Sequence, residues 1–361
     1  MTDIGDQAIE APPEVAPVRP GEELDWDALD RYLRANVPEL EGPLQVLQFP
    51  NGSANLTYLV QIGDRRLVVR RPPFGVIAQG AHDMGREHRV LSTLWRAYDR
   101  APRSYLLCED HSVIGSDFLV IEYRSGEVIW GVVPPSMEGH ADVGRRVGFA
   151  VVDALADLHR VDPVATGLGE LGRPEGFLAR QVSGWARRWS QAATEGAEPL
   201  MDVAAERLER SRPESPRASV LHNDFKLDNC QFDPSDPDRV KSVFDWDMAT
   251  LGDPFVDLGI LLNYWPDPSD TEDDKPIYNP GTEVLGLPLR SEVIGRYAER
   301  TGFDVGDVAW YEAFACWKTA VVLQQLYARF VRGESTDERM QSRGDWVSPQ
   351  ARRAIRILDS L

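Results

Sequence analysis

The run His222-Asn223-Asp224-Phe225-Lys226-Leu227-Asp228-Asn229 holds the densest set of chemically capable side chains in the sequence. It follows the apolar Ser219-Val220-Leu221. A second apolar run, 240–244, ends in Asp245-Trp246-Asp247, with Asp245 sixteen residues after Asn229. The pattern is H-x-D-x-x-x-x-N, then a strand, then D, which is the spacing of one kind of phosphoryl-transfer loop followed by its second metal-binding acid. The transferred group carries its charge on oxygens, so positioning and neutralisation do most of the catalysis. One carboxylate must face the acceptor hydroxyl, orient it and take its proton; Asp224 is the candidate. Magnesium takes hard oxygen ligands and one or two protein carboxylates. Asn229 offers a neutral oxygen and Asp245 a charged one. A histidine directly after a buried strand hydrogen-bonds backbone, so His222 is expected to fix the loop. Asp247 either touches a second metal or braces the loop. Lys226 either neutralises phosphate or is solvated, and the solvated reading is preferred.

These groups need a scaffold. Spacing predicts a helix from Asp25 through Leu33 that stops before Pro38. Strands are expected at 44–49, 57–62 and 66–70, with Gly63-Asp64 as a tight hairpin between the last two. A helix over 84–98 and strands at 104–108 and 118–123 complete a small antiparallel sheet carrying one helix. After Gly126 the pattern becomes helical. Helices are expected at 142–159, twice within 175–211, over 307–332 and near 350–361, with a loop at 265–290. The aromatic stripe Trp310, Tyr311, Phe314 and Trp317 reads as core. The fold class is therefore α+β, with residues 1–22 a disordered tail, 23–125 an N-terminal lobe and 126–361 a larger, mostly helical catalytic and substrate lobe.

The chain has 361 residues, a formal net charge of −19, 42% hydrophobic and 27% charged residues, so it can build a full core and has no basic face for nucleic acid. The acidity keeps the protein soluble or favours a cationic substrate. Three separated cysteines, Cys108, Cys230 and Cys316, show no disulfide or zinc spacing, which fits a reducing, cytoplasmic setting. The start lacks a signal-peptide pattern, and no run is apolar enough to span a membrane.

With these motifs in place, the sequence resembles the aminoglycoside phosphotransferase and choline kinase superfamily, a branch of the protein-kinase-like bilobal fold, over roughly residues 25–335. More narrowly, it resembles bacterial phosphotransferases akin to the kinase-like domain fused to some acyl-CoA dehydrogenases. The resemblance implies ATP or GTP and Mg2+ as cofactors, Asp224 as base, and Asn229 and Asp245 as magnesium ligands. It also implies that Gly52-Ser53-Ala54-Asn55 closes over the nucleotide phosphates, with Ser53 and Asn55 as contacts. Arg70, at the end of the third strand, would hold the phosphates and pair with Glu87. This departs from kinases that use lysine there, since the arginine fork is larger and aims differently. Glu122 and Tyr123 would present backbone to the adenine. Asp253 and Asp257 are expected to be structural, capping or bonding the helix that follows.

The implied activity is transfer of a γ-phosphate to a hydroxyl of a small molecule. A nucleotide-binding pseudokinase would lack a catalytic group, and Asp224, Asn229 and Asp245 are all present. A metal-dependent hydrolase would need more ligands than a chain with six histidines offers near the motif. A protein kinase would carry an Ala-Pro-Glu segment, which is absent. Residues 267–274 form an acidic run, suited either to a polycationic acceptor or to a solvated loop. The narrower resemblance favours a hydroxyacyl-CoA or another metabolite over an antibiotic.

Overall fold

The computed structural model describes residues 14–50, 55–74, 83–194, 196–271, 274, 277–335 and 337–361. The chain divides into two compact units, one holding residues 1–95 and 101–125, the other residues 96–100 and 126–361.

In the first unit, helix α1 (Trp26–Asn36) starts where Asp25 accepts the Ala28 N–H and ends before Pro38. Its Leu29 and Leu33 are fully buried. Strands β1 (Leu44–Gln48), β2 (Leu56–Ile62), β3 (Arg65–Arg71), β4 (Ser104–Cys108) and β5 (Phe118–Glu122) form an antiparallel sheet, ordered β1-β2-β3-β5-β4 among the described residues. The β2–β3 hairpin turns at Gly63, where φ is +56° and a side chain would meet the Glu41 carbonyl. One sheet face supplies Tyr58, Val60, Val69, Phe118 and Val120 to a core closed by α1. Helix α2 (Met84–Leu91), capped by Asp83, is shorter than expected. The Ser92 hydroxyl bonds back to the Arg89 carbonyl and the Thr93 N–H to that of Val90, so the helix gives way to a 3-10 turn at Leu94–Arg96. A short helix α3 (His111–Ile114) was not expected.

Residues 14–22 of the expected tail are held by the sheet. Ala16 pairs with Gln48 in both directions, the Arg19 N–H donates to the Gln48 side chain, and the Tyr58 hydroxyl donates to the Glu22 carbonyl. Backbone pairing against the edge strand β1 outweighs the Pro- and Glu-rich composition.

The second unit contains β6 (Glu127–Val128), α4 (Val143–Arg160), α5 (Phe177–Ala192), α6 (Leu200–Arg210), β7 (Ser219–Leu221), β8 (Cys230–Asp233), β9 (Asp236–Val243), β10 (Thr250–Gly252), α7 (Phe255–Asn263), α8 (Arg290–Thr301), α9 (Val308–Val331), α10 (Glu338–Gln341) and α11 (Val347–Asp359). Strands β6, β8 and β9 form one small antiparallel sheet, and β7 pairs with β10. Helix α9 is the unit's axis, packed by α5, α6, α7 and α11. Its aromatic stripe is core: Trp310 and Trp317 are buried, and their indole N–H groups donate to the Leu208 and Met201 carbonyls. No helix among the described residues is long and apolar enough to cross a membrane.

Candidate active site

In the second unit the two polar segments lie at the ends of short buried strands. Strand β7 delivers His222–Asn229, and the β8–β9 hairpin delivers Asp245. The pairing Cys230↔Val243 sets Asn229 across from Phe244, and the Phe244 N–H donates to the Asn229 carbonyl at 2.9 Å. Asp245 follows directly, in left-handed backbone with φ +69°. Two further bonds join the segments. His222 Nε2 donates to the Phe244 carbonyl at 2.7 Å, and Asn223 Nδ2 to the Met248 carbonyl at 2.8 Å. Because a carbonyl only accepts, His222 carries its proton on Nε2, and Nδ1 accepts the Asp224 N–H at 3.3 Å. The ring lies fully buried against Trp246, 4.7 Å between centroids. Its contacts are those of a loop anchor.

Asp224 is partly exposed and lies beside two groups. Lys226 Nζ is 3.0 Å from Asp224 Oδ2, and Asn229 Nδ2 is 3.0 Å from the same oxygen. Lys226 is therefore not a solvated charge: its head sits 5.3 Å over the Tyr264 ring. Burial works against the Lys226 charge, but the carboxylates of Asp224 and Asp228 outweigh it and raise its pKa. Burial raises the Asp228 carboxyl, opposed by Lys226; Asp228 also accepts from Asn279 Nδ2 at 3.3 Å. Asn229 turns its amide NH2 group toward the Asp224 carboxylate and carbonyl, which leaves the amide oxygen facing elsewhere. A neutral amide oxygen and the Asp245 carboxylate, on segments tied through one backbone bond, make a donor set that fits magnesium.

Asp257 belongs to the site in a way its sequence context hid. It lies within α7, fully buried, and its two oxygens accept the backbone N–H groups of His222 and Asn223, each at 2.7 Å. His159 Nε2 lies 3.3 Å from Oδ2, and His159 Nδ1 is 2.7 Å from the Tyr297 hydroxyl. Burial alone would raise the Asp257 carboxyl, but His159 and the backbone donors hold it below its ordinary value. The expected bonding to its own helix gives way to anchoring the loop that carries Asp224. Asp253 does bond to α7, accepting the Phe255 N–H at 3.0 Å, and also accepts the Tyr311 hydroxyl at 2.7 Å.

In the first unit Arg70 and Glu87 are brought together. Arg70 Nη1 is 2.6 Å from Glu87 Oε1, and both residues are buried. Asn55 is buried directly before β2. Glu122 ends β5 and accepts from the Arg103 N–H and from Arg124. The Tyr123 hydroxyl donates to Glu14 at 2.8 Å. Ser53 lies outside the described residues.

Residues 45–279 match the model of the phosphotransferase enzyme family. The chain belongs to this family. This phosphotransferase is 30% identical to a solved structure from Ralstonia eutropha that carries a provisional aminoglycoside phosphotransferase name, with a TM-score of 0.79 over 94% of this chain and 99% of that one. It has the fold of the aminoglycoside phosphotransferase APH(4)-Ia, solved with AMP-PNP and hygromycin B, at a TM-score of 0.58 and 14% identity over 92% of this chain and 98% of that one. The kinase-like α+β fold expected from the motifs is thus the observed one. The phosphotransferase is also 31% identical to mouse acyl-CoA dehydrogenase family member 10, over 94% of this chain but 32% of that protein. The chain spans a third to less than half of the curated relatives it matches.

Proposed function

We propose that this phosphotransferase is a magnesium- and ATP-dependent small-molecule kinase that moves the γ-phosphate to a hydroxyl group. The observation that carries this reading is the contact of Asp224 with Asn229 at 3.0 Å, on a loop bonded to the segment bearing Asp245. Asp224 orients the acceptor hydroxyl and receives its proton as the oxygen attacks the γ-phosphorus and the bond to the β-phosphate oxygen breaks, releasing ADP. Lys226, held against Asp224, neutralises a transferring phosphate oxygen. Asn229 and Asp245 would hold the metal, which supplies charge neutralisation on the phosphate oxygens. In the first unit Arg70, oriented by Glu87, would bind phosphate; Asn55 and Ser53 would contact the phosphates, and the backbone of Glu122 and Tyr123 the adenine. GTP would use the same groups. Three buried free thiols support work in a reducing cytoplasm.

The acceptor is a hydroxyacyl-CoA or related metabolite rather than an aminoglycoside. The described carboxylates of the acidic run, which could have met a polycation, are engaged within the protein. Asp270 binds Arg290 at 2.6 Å, Asp274 pairs with Arg356, and Asp267 accepts the Arg290 N–H at 2.8 Å. The acyl-CoA dehydrogenase relatives favour the same class.

The test is ADP release from MgATP with hydroxyacyl-CoAs, aminoglycosides and amino alcohols as acceptors. Asp224→Asn should lower turnover by about 100-fold or more while nucleotide affinity is kept. Undiminished turnover in that variant would remove the base assignment.

A further inference from the structure

Lys318 lies on α9, 8% exposed, beside the catalytic loop. A buried ammonium is costly unless it is bonded or paired. Here Nζ donates to the Asn223 carbonyl at 3.1 Å and sits 5.5 Å over the Trp185 ring of α5. Asn223 is a non-glycine residue at φ +67°, a conformation that persists where neighbours hold it. Three neighbours do so. Asp257 takes its N–H, Met248 receives its side chain, and Lys318 grips its carbonyl. That carbonyl belongs to the peptide leading into Asp224, so its plane sets where the Asp224 side chain leaves the backbone.

We propose that Lys318 is a positioning residue for phosphoryl transfer, clamping the Asn223–Asp224 peptide from α9 and thereby aiming the Asp224 carboxylate. The proposal rests on Asp224 as the base. The clamp is also sensitive to pH. Burial is the largest influence on Lys318 and brings its pKa down to about 8; Asp224 and Asp257 support its charge, while Arg188 and Lys226 oppose it. Above about pH 8 the bond to Asn223 loses its charge assistance.

The experiment uses Lys318→Met and Lys318→Arg in the full chain, with MgATP and a hydroxyacyl-CoA. Lys318→Met should lower kcat about 10- to 100-fold and leave the KM for ATP unchanged. Wild-type kcat should fall above about pH 8, whereas Lys318→Arg, which stays charged, should recover part of the kcat and lose that fall. A crystal structure of Lys318→Met should show Asn223 displaced from φ +67°. Unreduced kcat in Lys318→Met, or an unmoved Asn223, overturns the proposal. If wild-type protein turns over no acceptor, the proposed reaction fails, and the position of Asn223 in that crystal still decides the clamp. If Lys318→Met does not fold, 5-fluorotryptophan protein decides. The Trp185 resonance, assigned with Trp185→Phe, should titrate near pH 8, and a flat response overturns the proposal.

Discussion

Replacing Asp257 with asparagine tests how the loop of residues 222–229 is held. The aspartate accepts two backbone N–H groups at 2.7 Å in a fully buried position, with His159 beside it. Asparagine keeps the volume but has one acceptor oxygen, so its NH2 group meets a backbone N–H donor. The change removes a charge-assisted bond, about 1.5–3 kcal/mol, and leaves a buried donor unsatisfied, about 1–3 kcal/mol. Since the two effects overlap, the expected destabilisation is about 3–5 kcal/mol. That is a large share of the roughly 5–15 kcal/mol that holds a protein folded. A loop shift near 1 Å should also lower phosphoryl transfer about 100-fold. Urea unfolding followed by tryptophan fluorescence reads the first effect, and ADP release the second. The pH dependence has a definite sign. The folded pKa of Asp257 is depressed, so its contribution is complete above the unfolded value of about 3.9 and disappears as pH falls through the folded value. The gap between wild type and Asp257→Asn should stay constant above about pH 5 and narrow below about pH 4. A variant within about 0.5 kcal/mol of wild type and equally active would refute the reasoning.

Removing the guanidinium in Arg70→Met takes the charge-assisted bond at 2.6 Å from a glutamate that is 1% exposed, so stability should drop by about 1.5–3 kcal/mol in urea unfolding. Adding Glu87→Leu should not restore ATP affinity; full recovery of affinity would contradict phosphate binding by Arg70. Asp245→Ala should weaken magnesium-dependent nucleotide binding by at least about tenfold, measured by titration calorimetry with and without magnesium. An unaltered magnesium dependence would exclude Asp245 as a ligand.

Local chemistry is what a sequence records well. The apolar runs at 219–221 and 240–244 marked the buried strands, and the spacing from His222 to Asn229 put Asp224 and Asn229 on one short loop. Helix α1 was readable from Asp25, the Leu29–Leu33 spacing and Pro38, all of which act within a few residues. Strand β8, four residues long, was missed because its existence depends on pairing with β9. Helix α2 was read too long because its apolar face continues past Ser92 while backbone bonding does not. Ordered residues 14–22 were missed because their composition resembles a tail and their partner, Gln48, is distant in sequence.

Residue types and spacing alone thus placed Asp224 and Asn229 on one short polar loop behind a buried strand and disclosed the α+β character of the chain. Only the tertiary structure decided how that loop is held. Asp257, His159 and Lys318 come from α7, α4 and α9, and each is unremarkable in its own helix. They acquire their roles because packing brings a buried carboxylate and a buried ammonium against backbone groups that would otherwise lack partners, and hydrogen bonding in a dry interior leaves few alternative arrangements.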